Sequence, residues 1–259
     1  MKKIIKSILI VSIIGLSVYC VSCVSIVRIK GNSNIINTEE TVSEFEKINI
    51  SGSAEVHFYA SDEYRAILTI DENLKEYIII STKDNTLNIG VESGCYISPT
   101  KFTVDVYCPV LTGVSISGSG IFKNSDTITA TTFESKITGS GKMEGDIVCG
   151  DYSAKISGSG KINGAIECDN YSVTISGSGK VTTHGNSSNV DISISGSGKF
   201  DGNEFYTNNA NINISGSGNA SLYIEDYLNA VISGSGKVNY GGNPKIDSNI
   251  RGSGQIKSM

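Results

Sequence analysis

The triplet Gly-Ser-Gly recurs eight times, starting at Gly118, Gly139, Gly158, Gly177, Gly196, Gly216, Gly234 and Gly252, at spacings of 21, 19, 19, 19, 20, 18 and 18 residues. A period this regular marks a stacked array, in which each unit buries its apolar face only against the next. The inner pattern chooses the kind of array. In Tyr171–Val181, the residues Tyr171, Val173, Ile175, Gly177, Gly179 and Val181 share one parity; Ser172, Thr174, Ser176, Ser178 and Lys180 share the other. The same alternation runs through 190–200 and 210–220. Period two with β-branched residues is strand, and apolar residues three and four apart, which a helical repeat would need, do not occur. The fold class expected is all-β: a β-solenoid with coils of about 19 residues and Gly-Ser-Gly at the corners. With a coil rise of about 4.8 Å, eight coils make a rod about 38 Å long.

Both triplet glycines fall on the inward parity, so each triplet is expected where backbone meets backbone too closely for a side chain. The serines between them are expected to point outward and to hydrogen-bond along the rod. A second column supports the register. Asp151, Asn170, Asn189 and Asn209 each lie seven residues before a triplet, as turn-satisfying side chains at an opposite corner would.

The chain of 259 residues divides into four parts. Residues 1–22 carry Lys2, Lys3 and Lys6, then the apolar run Ile8–Tyr19, which is short for a membrane span and fits a secretory signal. The run ends in "VYCVSC", where Ser22 before Cys23 resembles a bacterial lipobox; Cys23 is the expected lipidation site and first mature residue, with Cys20 the weaker alternative beside bulky Tyr19. Removing the three lysines takes the formal net charge from −5 to −8, which argues against nucleic acid as a partner. Residues 23–43 are polar and read as a flexible tether. Residues 44–117 lack the triplet but hold strand-like runs ("YRAILTI", "YIIIST", "TLNIGV", "KFTVDVYC") and a helical turn near Asn73–Tyr77. They read as the start of the same body in wider coils, with Gly52 at an early corner, capping an edge that would otherwise invite aggregation. Residues 118–259 are the repeat proper.

"FEKINISGSAEV", "DENL", "NTLNIGV" and "CPVLTGVSISGSG" followed by the triplets resemble, in that order over residues 44–257, the bacterial DUF2807 family, also called the putative autotransporter adhesin head GIN domain. The resemblance implies a right-handed β-helix related to the pectin lyase architecture, attachment to the cell envelope, and a role in cell adhesion, with no catalytic residue. Met259 follows the last triplet within a few residues, so the expectation is a rod without the membrane barrel of an autotransporter.

Lys142, Lys161, Lys180, Lys199 and Lys237 each follow a triplet, and the first four should form one outward stripe. Two readings stand: a docking stripe for an anionic glycan or envelope polymer, and solvated lysines that discourage lateral sheet pairing. Cys149 and Cys168 lie one period apart and should stack on adjacent coils, either as a strained disulfide or as a reduced ladder; Cys95 and Cys108 are a weaker pair. The triplet is no phosphate loop: position 174 is Thr where the first glycine would stand before Gly179-Lys180. Neither a metal set, with His57 and His184 remote from paired ligands, nor a catalytic acid cluster is expected, and no cofactor. The leading function is a non-enzymatic outer-membrane lipoprotein presenting the rod for binding to a glycan or to an envelope or host surface protein. A periplasm-facing scaffold is the second reading, since "VSIVRIKGN" after Cys23 lacks an acidic export cluster. A carbohydrate-active enzyme is the third.

Overall fold

The computed structural model describes residues 28–259. Strands Lys161–Gly177, Lys180–Gly196, Lys199–Gly216 and Asn219–Gly234 lie parallel and in register. Identical positions stack: Ile156, Ile175, Ile194, Ile214 and Ile232 form one buried column, each at most 2% exposed. A one-residue slip would turn the whole column outward, so burial pins the register. The expected β-solenoid is what forms. Its interior also holds an aromatic stack, with the Tyr152 and Tyr171 rings 4.9 Å apart at 14° and Phe133 and Phe205 beside them.

The corners differ from expectation in one respect. Gly177 is exposed, with φ +115°, whereas Gly179 is buried. The left-handed residue breaks the period-two alternation, so the two glycines do not share an inward face. They are needed for different reasons. A Cβ on Gly177 would lie 2.6 Å from the Gly158 carbonyl oxygen, and the φ is one L side chains rarely adopt. A Cβ on Gly179 would lie 2.5 Å from Cγ2 of Ile156 in the preceding coil. The corner is tied by backbone: Ser178 N–H donates to the Gly158 carbonyl at 2.9 Å, and Lys180 N–H to that of Gly160 at 3.0 Å. The triplet serines face outward as expected, but among the described residues their hydroxyls form no hydrogen bonds with one another.

At the N-terminal end the first coil, Lys47–Gly52 and Glu55–Ala60, sits between the coil Gly113–Asn124 and the strands Thr86–Val91 and Phe102–Cys108. Gly52, at φ +103°, stacks under Gly118. The expectation of wider coils is corrected here, because antiparallel pairing takes over. Arg65–Asp71 runs antiparallel to both Ile35–Glu40 and Phe102–Cys108, and Ile78–Lys83 to Thr86–Val91. Asp84 and Asn85, at φ 49° and 57°, make the two-residue turn whose twist suits that hairpin. One 3-10 turn, Glu72–Tyr77, joins the two antiparallel units, near the helical turn expected.

The expected tether is also corrected in its described part. Arg28–Lys30 pairs parallel with Tyr96–Ser98, and Ile35–Glu40 is a sheet strand. Ile29 and Ile36 pack on the core, so polar composition misled: only alternate residues of these strands need be apolar. Residues 1–27, with the signal segment and Cys23, lie outside the described residues.

Candidate functional site

The outward face just after the triplets carries the side chains that could meet a partner. Lys142, Lys161, Lys180 and Lys199 are register neighbours on four successive coils; Asn219 interrupts the column before Lys237. Two residues further along each strand lies a second column, which holds the acids Glu144 and Asp201 among Asn163, Thr182, Ser221 and Asn239. Lys142 pairs with Glu144, and Lys180 and Lys199 both reach Asp201, at 3.0 and 2.9 Å. Burial alone would raise the Asp201 pKa; the two ammonium groups outweigh it and hold the carboxyl below its usual value. Among the described residues Lys161 and Lys237 have no carboxylate partner. The stripe therefore exists as a column, partly neutralised by Glu144 and Asp201 but still net positive, and half-exposed pairs of this kind contribute at most about 1 kcal/mol each.

Nearer the N-terminal end the same two columns make a chain of charges. Asp105 reaches His57 Nδ1 at 3.1 Å, His57 Nε2 reaches Glu55 at 3.0 Å, and Lys123 donates to Glu55 at 2.6 Å. The Lys123 hydrogen bond, with help from His57, holds the Glu55 carboxyl low. At the far corner the amide column is real: Asn170 donates to Asp151 at 2.8 Å, Asn189 to Asn170 at 3.1 Å, and Asn209 to Asn189 at 3.2 Å. It borders an open cleft of about 680 Å³ lined by Lys47, Glu134, Asp151, Lys155 and Asp191, which is mixed in charge.

The family model described as "Putative auto-transporter adhesin, head GIN domain" (DUF2807) matches residues 44–244. The chain belongs to this family. Among solved structures it is similar to a "putative lipid binding protein" from Parabacteroides distasonis, at 30% identity and TM-score 0.85, over 90% of this chain and 99% of that one. A "putative adhesin" from Parabacteroides merdae gives 24% identity, TM-score 0.85 and the same coverage, and shows the fold alone. No curated protein matches.

Within this DUF2807 chain, Cys149 and Cys168 are register neighbours as expected, and both are free thiols at 9% exposure. Burial pushes their pKa values up to about 11 and about 12, so neither is an activated nucleophile. Cys95 and Cys108 are also free and are not brought together by any strand pairing. Among the described residues no group of three or more His, Cys, Asp or Glu could hold a metal, and no helix is long and apolar enough to cross a membrane.

Sequence reasoning missed two features. Asp71, fully buried, accepts a backbone hydrogen bond from Ser33, in the segment taken for a tether. Tyr206 and Tyr223 form an exposed aromatic pair. Tyr223 lies on the outward parity of its strand, but Tyr206 shares the parity of buried Phe200 and Ala210; the irregularity between Gly202 and Tyr206, where Asn203 and Glu204 are both exposed, turns it outward.

Proposed function

We propose that this DUF2807 protein is a non-enzymatic lipoprotein of the cell envelope, anchored in the outer membrane through Cys23, whose rod presents a surface for adhesion to a glycan or to a surface protein. The observation that supports this reading best is the continuous in-register stack itself. A parallel solenoid repeats each outward side chain at a fixed step, so it offers rows of identical contacts and no enclosed reaction chamber. The family description, a putative adhesin, supports it too. Lys161 and Lys237, lacking carboxylate partners, are the members of the lysine stripe free to meet an anionic polymer.

Protease treatment of intact cells, with lysed cells as control, tests the reading. Loss of the rod from intact cells is expected. Protection in intact cells with cleavage after lysis would instead favour the periplasmic scaffold, the reading to which the absence of acids just after Cys23 points.

A further inference from the structure

Tyr206 and Tyr223 are 50% and 37% exposed, the former among the most exposed large apolar side chains of the described residues. They are register neighbours on adjacent coils, with ring centroids 5.1 Å apart and planes 30° apart. The next position of the column is Gly241, and a Cβ there would lie 2.3 Å from Cε1 of Tyr223. The Tyr223 ring therefore lies over bare backbone on one side and is overlapped by the Tyr206 ring on the other, and together the two half-exposed rings form an aromatic ridge one coil step long. Burying such rings is favourable, so rings held open on a rigid strand are unused binding energy.

The surroundings say what could cover them. In the other direction along the rod the column continues with exposed Asn186 and Glu167, one per coil. Beside the rings on the same outward face lie Glu204 and the Asn208 amide donating to Asp226 at 3.3 Å, with Glu225 adjacent. The border is acidic, so a polyanion would be repelled; this patch is the electrostatic opposite of the lysine stripe. Aromatic faces that recur at the coil step, followed in line by an amide and a carboxylate, fit the apolar C–H faces of successive pyranose rings and their equatorial hydroxyls. An extended pyranose polymer advances by nearly the coil rise of about 4.8 Å per sugar.

We propose that Tyr206 and Tyr223 form a stacking platform for a neutral, extended polysaccharide lying along the rod axis, one sugar per coil, with Asn186 and Glu167 hydrogen-bonding the sugars beyond the rings. The proposal deepens the adhesive reading and rests on it.

The test is titration of the purified protein with cellohexaose and chitohexaose, and with polygalacturonate as the polyanion. The chain lacks Trp but holds twelve Tyr, so the part of the tyrosine signal that belongs to the two rings is read from its loss in their variants. Expected is binding of a neutral hexasaccharide with a tyrosine signal, weakened tenfold or more in Tyr206→Ala and in Tyr223→Ala, retained in Tyr206→Phe, and unchanged in Lys161→Ala. Melting curves of the Tyr206 variants should match the parent, since that ring is half exposed, whereas Tyr223→Ala uncovers the Gly241 backbone and should melt slightly lower. Hexasaccharide binding that survives both alanine variants would overturn the platform but leave the rod a glycan binder. Polygalacturonate binding that depends on Lys161, with no hexasaccharide binding, would overturn the platform and keep the adhesive reading on the lysine stripe. Binding of none of the three would overturn the platform and count against adhesion to glycans altogether.

Discussion

The Asp71 carboxylate accepts the backbone N–H of Ser33 at 2.7 Å, and its other oxygen accepts that of Thr100, also at 2.7 Å. One buried side chain thereby ties the N-terminal strand segment to the loop before Phe102. Burial alone would raise the Asp71 pKa; the N–H donors Thr100 and Ser33 outweigh it, and the net shift is downward. A lowered carboxyl contributes stability that is present above its unfolded pKa of about 3.9 and lost as pH falls through the folded value. Asp71→Asn keeps the shape but replaces one acceptor oxygen with a donor. The expected outcome is a lower melting temperature at neutral pH and a weaker acid dependence below about pH 4, read from thermal melts across that range.

The triplet corner predicts an asymmetry between neighbouring residues. Gly177→Val introduces strain at positive φ and a clash with the Gly158 carbonyl, and should cost about 3 kcal/mol or more. Gly179→Ala presses on Ile156 and should cost about 1–3 kcal/mol. Ser178→Ala, on the exposed side, should stay within about 0.5 kcal/mol. Urea unfolding of the three variants checks the order.

Two stacked tyrosines should respond in opposite directions to the same change. Tyr152 shares a buried hydrogen bond of 2.8 Å with Ser135, and Tyr152→Phe would strand that hydroxyl at a cost of about 1–3 kcal/mol. Among the described residues the Tyr171 hydroxyl is buried without a partner; Thr183, which faces it, donates to the Gly164 carbonyl at 3.2 Å. Tyr171→Phe removes an unsatisfied group and should be neutral or stabilising by about 1 kcal/mol. Equal losses in both variants would contradict this account of the core.

Cys149 and Cys168 should resist alkylation in the folded protein at pH 8 and react on unfolding, while half-exposed Cys95 labels first. Their raised pKa values, about 11 and about 12, stabilise the fold below the unfolded thiol value of about 8.5. That contribution is lost as pH rises from there toward the folded values. Cys149→Ala/Cys168→Ala should flatten stability over this alkaline window, as followed by melting temperature against pH.

Much of this rod was legible before any coordinates. The spacing of the triplets and the parity of Ile156, Ile175, Ile194 and Ile214 determined a parallel solenoid, because period-two burial admits one register. They also determined that Lys142 to Lys199 and Asp151 to Asn209 form columns. Only the tertiary structure decided what stands beside each column. Asp201 stands in the regular register two residues past Lys199, and that both Lys180 and Lys199 turn toward it is a side-chain choice the parity leaves open. The irregularity between Gly202 and Tyr206 brings Tyr206 onto Tyr223. The antiparallel cap was legible only in the Asp84-Asn85 turn, and the ordering of Ile35–Glu40 depends on Asp71, a contact between distant residues that composition does not register. Repetition in sequence determines what recurs; the places where the repeat fails are decided by packing, and the exposed rings lie there.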